Sequence, residues 1–167
     1  MKPSAFALAL LLAVGGGCGG NGLVIGESGV NDVLRVMGEP GMQWAEPGGA
    51  RRLAYPHGPM GVTTDMVLVG ADGKVQRIEN VLDPQFFSRI EAGMTKEQVL
   101  RLLGPPKPSG TVYFKARDEL AWEWRYCDEW NRLARFDVLF DGTKEIVRST
   151  LTVREHCGPA GDCWCAH

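Results

Sequence analysis

The apolar and polar positions of this chain fall into a pattern that occurs twice. In GMTKEQVLRLLGPP, residues 93–106, Val99, Leu100, Leu102 and Leu103 recur with the spacing of one side of a helix. Thr95 stands three residues before Gln98, the spacing of a capping box, and Gly104 with Pro105 and Pro106 ends the segment. Upstream, Phe86, Phe87 and Ile90 predict a second short helix over 84–91, with Gly93 turning the chain between the two as an αα-hairpin. A rougher copy, VNDVLRVMGEP, occupies residues 30–40, placing Val33, Leu34 and Arg35 over Val99, Leu100 and Arg101, and Gly38 over Gly104.

Matching strand signals follow each helix. Leu53 to Tyr55 answers Leu120 to Trp122, Met66 to Val69 answers Asp137 to Phe140, and Val75 to Leu82 answers Ile146 to Val153. Asp72-Gly73 and Asp141-Gly142 read as hairpin turns between the last two strands of each set. The spacing between copies drifts from 66 residues at Val33 and Val99 to 71 at Met66 and Asp137, as loop insertions in a duplicated unit would produce. Within the second unit, alternation puts Trp122, Trp124 and Tyr126 on one strand face and Glu123, Arg125 and Cys127 on the other. Phe136, Val138 and Phe140 share a face of the next strand, with Asp137 and Asp141 opposite. Each sheet is therefore expected to bury one face on its helices and to leave the other accessible.

Composition narrows the class. The 167 residues are 44% hydrophobic and 23% charged, enough for a buried core, and the net charge of -2 comes without any run of like charges. Nucleic acid is not an expected partner. Lys2 followed by the apolar stretch Ala5 to Val14 reads as an export signal over residues 1–17, too short to span a bilayer as a helix. Small residues then lead to Cys18, the expected lipidation site, with ordinary cleavage nearby as the alternative. Residues 18–23 form a lipidated Gly and Asn linker, followed by one unit over 24–82, a second over 84–153 and a Cys-rich tail over 154–167.

Little in the motifs suggests catalysis, so no catalytic residue and no cofactor is assigned. Gly15, Gly17 and Gly20 spell G-x-G-x-x-G inside the signal and its flank, without the strand and helix that a nucleotide site needs. Ser28 lacks the final Gly of a nucleophile elbow and reads as a helix cap or turn residue. Asp32 and Glu97 suit the first turns of helices, where carboxylates complement the dipole. His57, His156 and His167 stand beside no nucleophile motif.

With Cys18 lipidated, Cys127, Cys157, Cys163 and Cys165 remain, an even number suited to disulfides in an oxidising compartment. A ring closed by Cys163 and Cys165 would be very tight, so Cys127 is expected to pair with one of them and Cys157 with the other. A soft metal site from His156, Cys157, Cys163, Cys165 and His167 is the alternative, at a spacing that matches no familiar zinc pattern, as is a free or intermolecular thiol. For Trp122, Trp124 and Tyr126 the choice is between core packing and partner binding. Trp130, in the polar turn Asp128 to Arg132, either meets a partner or folds back on the sheet.

The residues Phe87, Ile90, GMTKEQV and LGPP through Pro106, then Trp124 and Tyr126, then Phe136 to Gly142, resemble the SmpA/OmlA (BamE-like) family of outer-membrane lipoproteins. The resemblance covers about 84–153 well and 24–82 more loosely, and the first unit lacks the GMT turn. The tandem arrangement also resembles the β-lactamase inhibitory protein fold. These resemblances imply an α+β fold of two tandem units, each a short helix pair on a three- to four-stranded antiparallel sheet. They further imply a non-catalytic, lipid-anchored interaction or scaffold module in the cell envelope, with a protein partner; from the residues themselves no metal is assigned. Gly19 after Cys18 favours the outer membrane, facing the periplasm. A secreted or surface enzyme inhibitor that uses the concave face of the two sheets is the alternative.

Overall fold

The computed structural model describes residues 22–58, 61–158, 161 and 163–165. The signal segment, Cys18 and His167 lie outside the described residues. The fold is α+β and contains two four-stranded antiparallel sheets with few short helices.

Helix α1, Val30–Met37, opens the first unit. Its N-terminal amide at Gly29 donates to Asp32 Oδ2 at 2.8 Å, while Ser28 is a turn residue whose Oγ accepts the Val24 N–H at 2.9 Å. Sheet 1 follows in the order β1 (Met42–Ala45), β2 (Arg51–Pro56), β3 (Thr64–Val69) and β4 (Val75–Asn80), each antiparallel to the next. The second unit begins with α2, Pro84–Phe87, and α3, Lys96–Leu103, and continues into sheet 2: β5 (Val112–Phe114), β6 (Glu119–Cys127), β7 (Leu133–Asp141) and β8 (Val147–Arg154). The short edge strands β1 and β5 are the ones that alternation alone does not reveal, since three or four residues between Gly and Pro turns carry almost no periodic signal.

The duplication extends to backbone detail. Thr95 caps α3 as the sequence predicts: its Oγ1 accepts the Gln98 N–H at 3.3 Å, and its own N–H donates to Gln98 Oε1 at 2.8 Å. Both helices end on a glycine with positive φ, +77° at Gly38 and +73° at Gly104, whose N–H donates to the carbonyl four residues back. The residue capping each helix forms an isolated bridge to the residue before the last strand, Gly29 to Lys74 and Thr95 to Ile146. Each third-to-fourth strand pair also shifts register at one matching place, Leu68/Val69 and Leu139/Phe140.

The layers are ordered α1, sheet 1, α2 with α3, sheet 2. Val33 of α1 packs with Leu53, Tyr55, Val67, Val69 and Val75 on the front of sheet 1. The helices of the second unit pack with Trp124, Tyr126, Phe136, Val138 and Phe140 on the front of sheet 2, where the Phe87 and Phe136 rings stack at 4.1 Å. The same cluster includes Trp44, Ala54 and Met66 from the back of sheet 1. The end of α3 lies close against that back: a Cβ at Gly104 would stand 2.9 Å from Thr64 Cγ2 and 3.3 Å from Ala54 Cβ. Arg101 reaches Glu46 Oε1 at 3.3 Å and lies over the Trp44 ring, while Arg52 Nη1 donates to the Arg101 carbonyl at 3.0 Å. The expectation of one accessible face per sheet therefore fails for sheet 1, which is covered on both sides. A strand's alternation marks its two faces but not what will cover them, and here the second cover comes from the other unit.

Candidate functional site

Cysteine pairing fixes one corner of sheet 2. Cys127, the last residue of β6, is bonded to Cys165, and Cys157 to Cys163. These cysteines are thereby occupied by each other rather than by a metal, and among the described residues no group of three or more His, Cys, Asp or Glu is placed to hold one. The staple brings the tail alongside the start of β7. Leu133 N–H donates to the Cys163 carbonyl at 2.7 Å, Cys165 N–H donates to the Asn131 carbonyl at 3.0 Å, and Arg132 and Trp164 form a bridge pair.

The β6–β7 turn is organised by Asp128. Its Oδ1 accepts the N–H groups of Trp130 at 2.9 Å and Arg132 at 2.8 Å, its Oδ2 meets the Arg132 guanidinium, and Asn131 supplies the left-handed residue with φ of +58°. Burial pushes the Asp128 carboxyl up, but the hydrogen bonds from Arg132 and Trp130 outweigh it and hold the group below its usual range. This frame projects Trp130, 63% exposed, with the Arg132 guanidinium 6.0 Å from its ring centroid. Trp164 is 67% exposed and, as the bridge partner of Arg132, shares its side of the ladder.

The other aromatic candidates belong elsewhere. Trp124 is 2% exposed and Tyr126 is buried beside Phe87, so partner binding is corrected to core packing for both. Trp122 is half-buried against Phe140 and Trp124 and supports the same core. Of these four aromatics Trp130 is the exposed one. Trp164 was not singled out from sequence, although alternation in Cys163-Trp164-Cys165 sets the indole opposite two cysteines that face inward.

The second open surface is the back of sheet 2. It is cupped, with a concavity of about 840 Å³ lined by residues that include Val112, Phe114, Leu139 and Leu151 around Glu123, Arg135 and Asp137. Most charges there are paired. Glu123 meets Lys107 at 3.2 Å and Arg135 at 3.1 Å, Arg117 meets Glu119 at 2.9 Å, and Arg125 meets Glu155 at 2.7 Å. The hydrogen bond from Arg125 pulls the Glu155 carboxyl down. Asp137 has no hydrogen bond or ion pair among the described residues. Burial, then the neighbouring Glu123 carboxylate across the β6–β7 ladder, pushes its carboxyl up, with Arg135 opposing them.

Comparison with protein-family models, with curated proteins and with solved structures finds no match.

Proposed function

We propose that this chain is a non-catalytic, lipid-anchored protein of the bacterial cell envelope, a BamE-like interaction or scaffold module that supports outer-membrane protein assembly or envelope integrity. The observation that carries the interaction reading is the Trp130–Arg132–Trp164 corner. Two indoles more than half exposed, beside one guanidinium and on a stapled frame, have the composition of a protein contact. Such a corner is already ordered before a partner arrives, so little conformational entropy is lost on binding. The two disulfides fit an oxidising compartment outside the cytoplasm. The anchor rests on the sequence before and at Cys18, together with the family resemblance of residues 84–153. The inhibitor reading would rest on the concave back of sheet 2, since α3 lies on the back of sheet 1.

Affinity purification from membranes after mild cross-linking tests the proposal. Recovery of barrel-assembly components, reduced by Trp130→Ala and Trp164→Ala together, is the expected result. Recovery of one soluble hydrolase instead would favour the inhibitor reading. Unchanged membrane association after Cys18→Ser would defeat the anchor.

A further inference from the structure

The two sheets end in the edge strands β1, β4, β5 and β8, and only β8 lacks a protecting device. β1 and β5 are short, at four and three residues, and β4 carries the Arg77 and Glu79 ion pair at 3.1 Å. β8 runs for eight residues, VRSTLTVR, with no charge, proline or glycine from Ser149 to Val153. Thr150, Thr152 and Val153 of that stretch are β-branched, which favours the extended backbone. Arg148 to Thr152 are all exposed, Leu151 by 50%. The Gly93 N–H and the Met94 carbonyl take up the backbone of Val147 at the start of the edge. Beyond Val147, among the described residues, no strand pairs with the outer side of β8.

One bond fixes the direction of the backbone groups along this edge. The Glu155 N–H donates to the Leu133 carbonyl, so Glu155 faces β7. Successive residues of a strand point their backbone groups to alternate sides. The register with β7 is unbroken from Ser149 to Arg154, so Ser149, Leu151 and Val153 also face β7, while Thr150, Thr152 and Arg154 face outward. This open set is symmetric about Thr152. An antiparallel copy centred there sets Thr152 against Thr152 and Thr150 against Arg154 at both ends, so each outward N–H meets a carbonyl. Leu151 and Val153 both line the concavity on the back of sheet 2, and the same register sets one against the other, apolar against apolar. Centring the pair on Leu151 would instead oppose Arg148 to Arg154, two like charges.

We propose that β8 pairs with β8 of a second copy of this chain, antiparallel and centred on Thr152, joining two four-stranded sheets into one continuous sheet. Thr150, Thr152 and Arg154 of the two copies then exchange about six inter-strand hydrogen bonds. The same surface serves both copies, so the contact is isologous and closes at the dimer. Its length is limited at both ends, by Gly93 and Met94 beside Val147 and by the turn from Cys157 to Gly161 that follows β8. This goes beyond the interaction reading above and does not depend on the Trp130 corner.

Sedimentation velocity of the full chain in detergent from about 1 µM to about 500 µM tests the proposal, a range that brackets short contacts of modest affinity. The weight-average mass is expected to rise with concentration and to level off at twice that of the monomer. Thr152→Pro removes one outward N–H at a place where an edge strand tolerates proline, and is expected to weaken association about tenfold or more without changing circular dichroism. If that variant misfolds, Leu151→Lys decides: it keeps every backbone donor, loses the contact with Val153 and is expected to weaken association about fivefold. Thr152→Cys reads the register. Its thiol meets its own counterpart across the two-fold axis at a separation a disulfide can span, so mild oxidation gives a covalent dimer, whereas Thr150→Cys gives none. A single species of monomer mass over the whole range, growth past the dimer, association unchanged in Leu151→Lys or in folded Thr152→Pro, or equal cross-linking at the two cysteine positions would overturn the proposal.

Discussion

At Met66 and Asp137 the two units place different side chains on equivalent strand positions, and the surroundings differ accordingly. Met66 is buried under α3 with Trp44 and Ala54, in a layer that only an apolar or small side chain can fill. Asp137 stands half-buried on a face that α1, α2 and α3 leave open and that the Lys107 to Gly110 turn covers only at Glu123, among paired charges and exposed apolar residues. The units share their strand order, helix stops, bridges and register shifts, so these features do not create the difference. What differs is position in the stack: α3 lies on the back of sheet 1, and among the described residues no α-helix lies on the back of sheet 2. One sequence pattern has therefore become a two-sided internal layer in one place and a one-sided outer layer in the other.

Exchanging these residues gives the largest test of that comparison. Met66→Asp would put a carboxylate with no partner between sheet 1 and α3, at a cost of about 3–5 kcal/mol, while Asp137→Met is expected to change stability by less than ~1 kcal/mol. Urea unfolding of the two variants separates these outcomes. If Asp137→Met were the more damaging, the open face would not be open.

Next in size is the staple that only the second unit has. Replacing Cys127 and Cys165 by Ser releases a link between residues 38 apart, which chain-entropy reasoning values at ~3–4 kcal/mol. Thermal unfolding should show a Tm lower by on the order of 10 °C. Trp130 fluorescence should shift and sharpen its quenching by iodide if the tail leaves the corner, whereas α1 and sheet 1 should be unaffected by hydrogen exchange.

The helix stops test the same comparison at smaller scale. Gly38 and Gly104 combine a positive φ with an extended ψ, a region essentially confined to glycine, so an alanine costs about 1–3 kcal/mol at either through backbone conformation. Only at Gly104 does the added Cβ also meet sheet 1, and Gly104→Ala is expected to cost a further ~1–3 kcal/mol that Gly38→Ala does not.

The smallest effect is electrostatic. Asp137 has a folded pKa raised above its unfolded value, so the folded state holds this proton more tightly. Its contribution favours the fold at low pH and is lost as pH rises from the unfolded pKa of about 3.9 through the raised folded value. Asp137→Asn should therefore raise Tm slightly at neutral pH, with the gain shrinking to nothing in acid below that unfolded pKa. A loss of stability at neutral pH would mean that Asp137 is paired after all.

Much of this arrangement could be read from particular residues. Thr95 and Gln98 announced the start of α3, and Gly38 and Gly104 announced both stops, because caps are local chemistry in which the backbone groups needing partners lie within four residues. The alternation in β6 separated the aromatic set from Glu123 and Arg125 for the same local reason. Cysteine spacing limited the pairing to two choices but could not select Cys165 over Cys163 for Cys127, since that depends on how the tail crosses the end of β7. Alternation set Trp164 opposite its flanking cysteines and Asp137 opposite Phe136 and Val138, but carried no signal of what would cover either side chain.

By itself, then, the sequence determined the two-unit plan, the faces of the strands, the helix ends and a cysteine set capable of stapling the tail. Tertiary structure alone decided that α3 serves both sheets, that Trp124 is core while Trp130 and Trp164 share an exposed corner, and that Asp137 looks out where Met66 is covered. The division has a physical cause. Periodicity and capping are set by neighbours along the chain, but burial is set by whichever surface arrives from a distance, and the position of a unit in the stack is not written within that unit.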